Sequence, residues 1–164
     1  MVMRRKDREI TDVNEKIALL EKCKVCRIGL AENNAPYIVP LNFGYTFCDD
    51  VLTLFFHSAR EGRKIDILRN NPRACFEIDT EHGLIPDDIA CRTGFTFASL
   101  IGFGTISFIE DREEKVAALN ALMRHQTGKD IPFSYDDAVL NTVAVYKMEV
   151  DEFTGKRRSP PPAG

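Results

Sequence analysis

Apolar residues along the chain fall mostly into short alternating runs, with a few helical stripes between them. The first stripe is helical: Ile10, Val13, Ile17 and Leu20 recur on one face, which predicts a helix over 12–22 with Thr11 as its N-cap. Cys26, Ile28 and Leu30 then alternate with Arg27 and Gly29, the signature of a half-buried strand. A second strand is expected over 37–45, a turn at Cys48-Asp49-Asp50 and a third strand over 51–57, which is hairpin spacing. Pro40 lacks the N–H a ladder needs, so the second strand is an edge, is bulged, or faces something other than a strand.

The stretch 58–70 reads as a helix stopped by Asn70-Asn71-Pro72. Ala74, Phe76 and Ile78 mark a fourth strand, 81–92 a loop carrying His82-Gly83 and Pro86-Asp87-Asp88, and 95–109 a long strand expected to bend at Gly102 and Gly104. Asp111-Arg-Glu-Glu114 is a capping box opening a helix that turns Val116, Leu119, Leu122 and Met123 inward. An irregular segment with Pro132, a short turn near Asp136 and a last strand over 142–150 follow, with 159–164 as a tail. This order predicts a mainly β fold with flanking helices, an antiparallel barrel with helices at its ends. A doubly wound parallel sheet needs regular βαβ alternation, which is missing.

Composition narrows the class. A chain of 164 residues, 44% apolar and 29% charged, suits one domain, taken as 1–155 with 156–164 as a flexible tail. A net charge of −3 supplies no field to gather nucleic acid. The basic N-terminus has no apolar run behind it, and no stretch reaches the roughly 20 apolar residues of a membrane span. The expectation is a bacterial-type cytoplasmic protein. Five cysteines, an odd count, argue against a disulfide framework. Cys23-Lys-Val-Cys26 closes a helix and begins a strand, the reverse of a thioredoxin motif, and has no second ligand pair for zinc. Both read as buried, reduced thiols.

The run from His57 through Ser58, Ala59, Arg60, Glu61 and Gly62 to Arg63 and Lys64 carries the most chemistry. Ser58 and Glu61 have capping-box spacing, so Ser58 is expected to cap a helix directly after a buried strand. Cations near a helix start are disfavoured by about 0.3–1 kcal/mol each, yet Arg63 and Lys64 are placed there. A phosphate monoester would reverse that conflict, accepting from backbone N–H groups, Ser58 and both cations, while Gly62 lets the backbone come close. A solvated basic helix face with Glu61 as local partner is the alternative. His57, ending an apolar strand, should lie at the sheet rim beside the same spot; His82 and His125 read as ordinary surface residues. In Val39-Pro40-Leu41-Asn42, the interrupted pairing leaves backbone groups free for a flat heteroaromatic ring, or simply protects an edge. Gly102-Phe-Gly104 does not complete a dinucleotide fingerprint, and no Walker lysine, nucleophile elbow or HExxH occurs. Glu77, Asp79, Glu110 and Asp111 read as strand-face and cap residues.

Several segments in one order carry a further signal: MRRKDREI near the start, PYIVPLNFGY at 36–45, LFFHSAREGRKIDIL at 54–68, NPRACFEID at 71–79, SLIGFGT at 99–105 and EKVAALNALMRHQTG at 114–128. Together they resemble the pyridoxamine 5′-phosphate oxidase-like superfamily, and within it the nitroimidazole-resistance branch. The resemblance implies a split β-barrel homodimer with FMN near the subunit interface. Arg63 and Lys64 then match phosphate-binding positions with Ser58 and Ala59 beside them. Val39, Pro40, Leu41 and Asn42 match a strip along the flavin ring, His57 the ring end, and Ser99 and Ile101 a strand reaching the cofactor. The vitamin B6 oxidase carries further basic residues near its C-terminus for a substrate phosphate. Lys156-Arg157-Arg158 is too generic to imply that role. The expected function is FMN-dependent reduction of a small electrophile, a nitroaromatic by analogy, with His57 as proton donor or substrate contact. Flavin binding without turnover, or haem binding with His57 as axial ligand, are the other readings.

Overall fold

The computed structural model describes residues 3–130 and 133–160. Among them eight strands form one antiparallel sheet: β1 (Glu9–Ile10), β2 (Val25–Glu32), β3 (Ala35–Asn42), β4 (Gly44–Cys48), β5 (Val51–Ala59), β6 (Arg73–Ile85), β7 (Gly94–Ile109) and β8 (Val143–Arg158). The helices are α1 (Val13–Lys22), α2 (Arg63–Asn70), α3 (Arg112–Thr127) and the one-turn α4 (Asp137–Leu140). The mainly β architecture expected from the alternation, and the split barrel that the resemblance implies, are the ones observed.

Strand order is β3-β2-β6-β7-β8-β5-β4, with β1 added to β8. The two outermost strands of this path, β3 and β4, are consecutive in sequence and separated by Phe43 alone. Two peptide links span at most about 7 Å, so the sheet must curl until its edges meet at that corner. Yet β3 pairs with β2 and β4 with β5, and no ladder joins β3 to β4. The barrel is therefore pinned at one point and open beyond it. The expected single strand over 37–45 is in fact two strands diverging at a fully buried phenylalanine. Pro40 stands on an edge, as its missing donor requires.

Inward residues of each strand fill the barrel: Ile28 and Leu30, Leu54 and Phe56, Phe76 and Ile78, Leu100, Tyr146 and Met148. Leu19 and Leu20 of α1 and Ile65, Ile67 and Leu68 of α2 join the same core. Outside the barrel, Ala118 and Leu119 of α3 and Leu140 of α4 cover Ile109 and Val145. Gly44 lets α3 approach, since a Cβ there would lie 2.3 Å from Leu122 backbone atoms. No helix among the described residues is long and apolar enough to cross a membrane.

Several local expectations shift. Helix α1 is capped by Asp12, whose carboxylate accepts from Asn14 N at 2.9 Å, and not by Thr11. The stretch expected as a loop over 81–92 is strand as far as Ile85, because β6 resumes pairing with β7 after a shift between Thr80 and Gly83. The last strand runs well past 150, and its register on β7 shifts between Phe103 and Gly104, at the expected bend. Lys156, Arg157 and Arg158, expected as the start of a tail, are strand residues paired with Ser99, Ala98 and Phe97. Arg157 is tied to Glu15 at 2.8 Å and Glu81 at 3.0 Å. Pro132 and the end of the tail, 161–164, lie outside the described residues.

Candidate functional site

The break in the barrel makes a slot. β4 accompanies β5 only from Val51 to Phe55, so Phe56, His57, Ser58 and Ala59 keep a strand partner on the β8 side alone. Facing them is the free edge of β3, which carries Val39, Pro40, Leu41 and Asn42. The slot is shut at one end by Phe43. At the other end, where β5 passes into α2, the Arg63 guanidinium lies over the Tyr37 ring of β3 at 4.6 Å. Topology thus gathers Val39–Asn42, His57–Ala59 and Gly62–Lys64 around one opening, with unpaired main chain on both walls.

The helix end at the slot differs from the expected one. Ser58 is the penultimate residue of β5, and its hydroxyl donates to Ala59 O at 2.9 Å; it caps nothing. The N-cap of α2 is Gly62, and no side chain hydrogen-bonds to this end. The other helices are each capped by an aspartate: Asp12, Asp111 and Asp136. Gly62 has φ 120° and ψ 164°, a region open essentially to glycine alone, and a Cβ there would meet nothing within 4 Å. Conformation is what demands the glycine, and space stands open above it. Arg63 and Lys64 are the first two residues of α2. Free N–H groups, the positive helix end and two cationic residues therefore stand together where the space beside Gly62 is open, a donor set that fits a phosphate monoester.

His57 pairs through its backbone with Val145 and directs its ring to the outer face of β5. Partial burial pushes its pKa below the ordinary histidine value. The inward side of the slot wall holds Phe56, stacked on Tyr146 at 5.7 Å. The Asn42 amide is already engaged, donating to Lys24 O at 3.0 Å and to Gln126 Oε1 at 3.2 Å. Its side chain therefore fastens the closed end of the slot, which leaves its main chain to border the opening.

Ser99 and Ile101 are not brought to the slot. They lie on β7, separated from β5 by β8 and from β3 by β2 and β6, and they alternate with the inward Ala98 and Leu100. Both side chains face outward. A cavity of about 100 Å³ lined by Arg60, Arg69 and Lys115 opens on another side of α2 and touches none of the slot residues.

His125 overturns its surface assignment. It is 4% exposed, with Nδ1 2.7 Å from Phe43 O, Nε2 3.0 Å from Leu20 O, and its ring against Phe43 and Tyr45. It clamps α3 to the corner of the split. In the sequence its only signal was the spacing from Leu122, which places it on the inward face of α3. Tyr37 was missed as well, although it shares a face of β3 with Val39 and Leu41. Cys23 and Cys26 are buried and free, as read, and burial pushes both thiols up.

Comparison with known proteins bears on the fold and the family. The family model described as pyridoxamine 5′-phosphate oxidase matches residues 12–157. A candidate 5-nitroimidazole antibiotic resistance protein from Bacteroides thetaiotaomicron is 35% identical over 91% of this chain and 86% of its own, with a TM-score of 0.78. The flavocytochrome Anf3 from Azotobacter vinelandii shares the fold at 19% identity, covering 99% of this chain and 75% of its own, with a TM-score of 0.79. An FAD- and heme-binding protein from Mycobacterium smegmatis does so at 17% identity, over 96% and 77%, with a TM-score of 0.81. No curated protein matches the chain. A family match over nearly the whole chain, met by a 35% identical relative on the expected nitroimidazole-resistance branch, is decisive: this chain belongs to the pyridoxamine 5′-phosphate oxidase family.

Proposed function

We propose that the protein binds FMN in the slot and reduces a small electrophilic substrate, a nitroaromatic being the class that the Bacteroides relative suggests. The observation that carries this reading is the start of α2: a helix end without a side-chain cap, crowded by Arg63 and Lys64 and opening on the split. The phosphate takes that end. The free main chain of Val39, Pro40 and Leu41 then meets the edge of the ring, and the 57–59 stretch of β5 lines the facing wall. Bound there, the flavin supplies the electron transfer. Burial lowers the pKa of His57, which favours the neutral ring, and at the outer rim that ring is a hydrogen-bonding contact for the incoming substrate.

Two copies complete the site in this reading. Ser99 and Ile101 face away from their own barrel, so they reach a flavin only across a subunit boundary. The face they share is continuous by register, Pro40 beside Arg27, Glu77 and Ile101, and it leaves Ile38 66% and Ile101 40% exposed.

The test is reconstitution with FMN, followed by flavin fluorescence and the visible spectrum. Oxidised-flavin bands that a nicotinamide reductant bleaches and a nitroaromatic restores support the enzyme. Flavin that no reductant bleaches marks a passive binder, and a Soret band a haem protein. Replacing Arg63 and Lys64 together by glutamine removes two charge-assisted partners, each worth about 1.5–3 kcal/mol, so FMN should bind at least about 100-fold more weakly with the circular dichroism unchanged. An unaltered affinity in that variant refutes the phosphate site.

A further inference from the structure

The side chain of Arg63 has two partners within its own chain. Its guanidinium lies 4.6 Å over the ring of Tyr37, and one Nη stands 3.4 Å from Glu32 Oε2. Glu32 and Tyr37 flank the turn between β2 and β3, where Asn33 and Asn34 both take positive φ, so the two side chains are set by one tight hairpin. A guanidinium held over a ring keeps N–H donors available at its edge. That edge is what a carboxylate or a phosphate engages, and Glu32 engages it at 3.4 Å, the outer limit of a hydrogen bond. Both partners are open to solvent, with side-chain exposures of 57% for Arg63 and 41% for Glu32, so water and salt weaken the contact and a dianion can displace it.

We propose that Tyr37 and Glu32 are positioning residues for Arg63: the Tyr37 ring is the platform that aims the guanidinium at the start of α2, and the Glu32 carboxylate is a placeholder that the ligand phosphate displaces. The proposal rests on the phosphate reading of that helix end. It assigns opposite signs to two neighbouring residues. Loss of the platform lets Arg63 swing into solvent, and ligand must then bear the cost of ordering it. Loss of the placeholder charge removes a competitor and a like charge beside the incoming phosphate.

FMN and riboflavin, which lacks the phosphate, separate this from any effect on the ring or the fold. Dissociation constants for both are measured by flavin fluorescence in the parent protein and in Tyr37→Ala, Tyr37→Phe and Glu32→Gln, with thermal melts to confirm folding. Tyr37→Ala should weaken FMN about two- to fivefold, the worth of an exposed cation–π contact, and Tyr37→Phe should stay near the parent because a ring remains. Glu32→Gln should tighten FMN about two- to fivefold, the scale of an exposed ion pair. Riboflavin affinity should not move in any of them. Equal shifts for FMN and riboflavin, or weaker FMN binding by Glu32→Gln, overturn the proposal. A parent protein that binds riboflavin as tightly as FMN instead overturns the phosphate reading beneath it.

Discussion

Replacing Gly44 by alanine tests the corner on which both barrel and slot depend. A Cβ at that position would lie 2.3 Å from Leu122 Cα and N and 2.6 Å from Ala121 C. These are helix backbone atoms, so no rotamer change relieves the clash. For 3.4 Å, the near limit of ordinary contact, α3 must retreat by about 1.1 Å (3.4 − 2.3) as a body. A gap of 0.5–1 Å forfeits roughly a quarter to a half of each dispersion contact, and overpacking of this kind costs about 1–3 kcal/mol. The retreat also lengthens the His125 contacts to Phe43 O and Leu20 O, now 2.7 and 3.0 Å, and stranding a buried polar group adds about 1–3 kcal/mol. The expected loss is about 2–6 kcal/mol. Urea unfolding followed by circular dichroism measures it, with the slope compared to confirm that the same surface is exposed. A loss under about 1 kcal/mol at unchanged slope refutes the argument that α3 is held against the corner by the missing side chain.

Gly62→Ala meets no steric neighbour, so its effect is backbone strain alone, about 1–3 kcal/mol in urea unfolding; an unchanged midpoint would show that α2 can start in another conformation. The lowered pKa of His57 means the folded state gives up a proton that the unfolded chain holds, so stability is fully present above the ordinary value of 6.5 and falls as pH drops through it. Urea midpoints across that window should decline in the parent and lose this contribution in His57→Gln; parallel pH profiles would return the ring to full solvation. Alkylation of the folded protein should mark the exposed Cys48 and Cys91 first and reach Cys23 and Cys26 only on unfolding, which peptide mass mapping reads directly. Early labelling of Cys26 would contradict its burial.

Alternation and turn chemistry made most of the fold legible. Strict period-two runs at Cys26, Ile28 and Leu30, or at Ala74, Phe76 and Ile78, survive because one face of each strand is buried and a slip would expose it. The corner at Phe43 was hidden, since a chain that stays extended while changing partners leaves no local mark. The continuations of β6 and β8 were hidden too. They are held by cross-strand pairing and by long-range ion pairs such as Arg157 with Glu15, not by apolar periodicity. The cap at Ser58 failed because β5 had two more residues of ladder with β8 to make, and that pairing outweighed a local capping preference. Arg63 and Lys64 were nonetheless placed correctly at the helix start. Their anomaly is electrostatic, and it does not depend on which residue caps.

The split and the site have one cause. Closing the barrel would require β3 to pair with the 56–59 stretch of β5, and that ladder would satisfy the same main-chain groups that now border the slot. Pro40 removes a donor from one side of any such ladder, while the chain's turn at Phe43 commits β3 to β2 and β4 to β5. His125 and Gln126, both bonded to Phe43 O, hold that commitment from α3. Unpaired main chain is normally a liability at a sheet edge. Here it lies between a phenylalanine that shuts one end and a cationic helix start that terminates the other. The planar ligand with a polar edge and an anionic tail that we propose would satisfy both at once, so on that reading the failure to close the sheet at this point is what supplies the site.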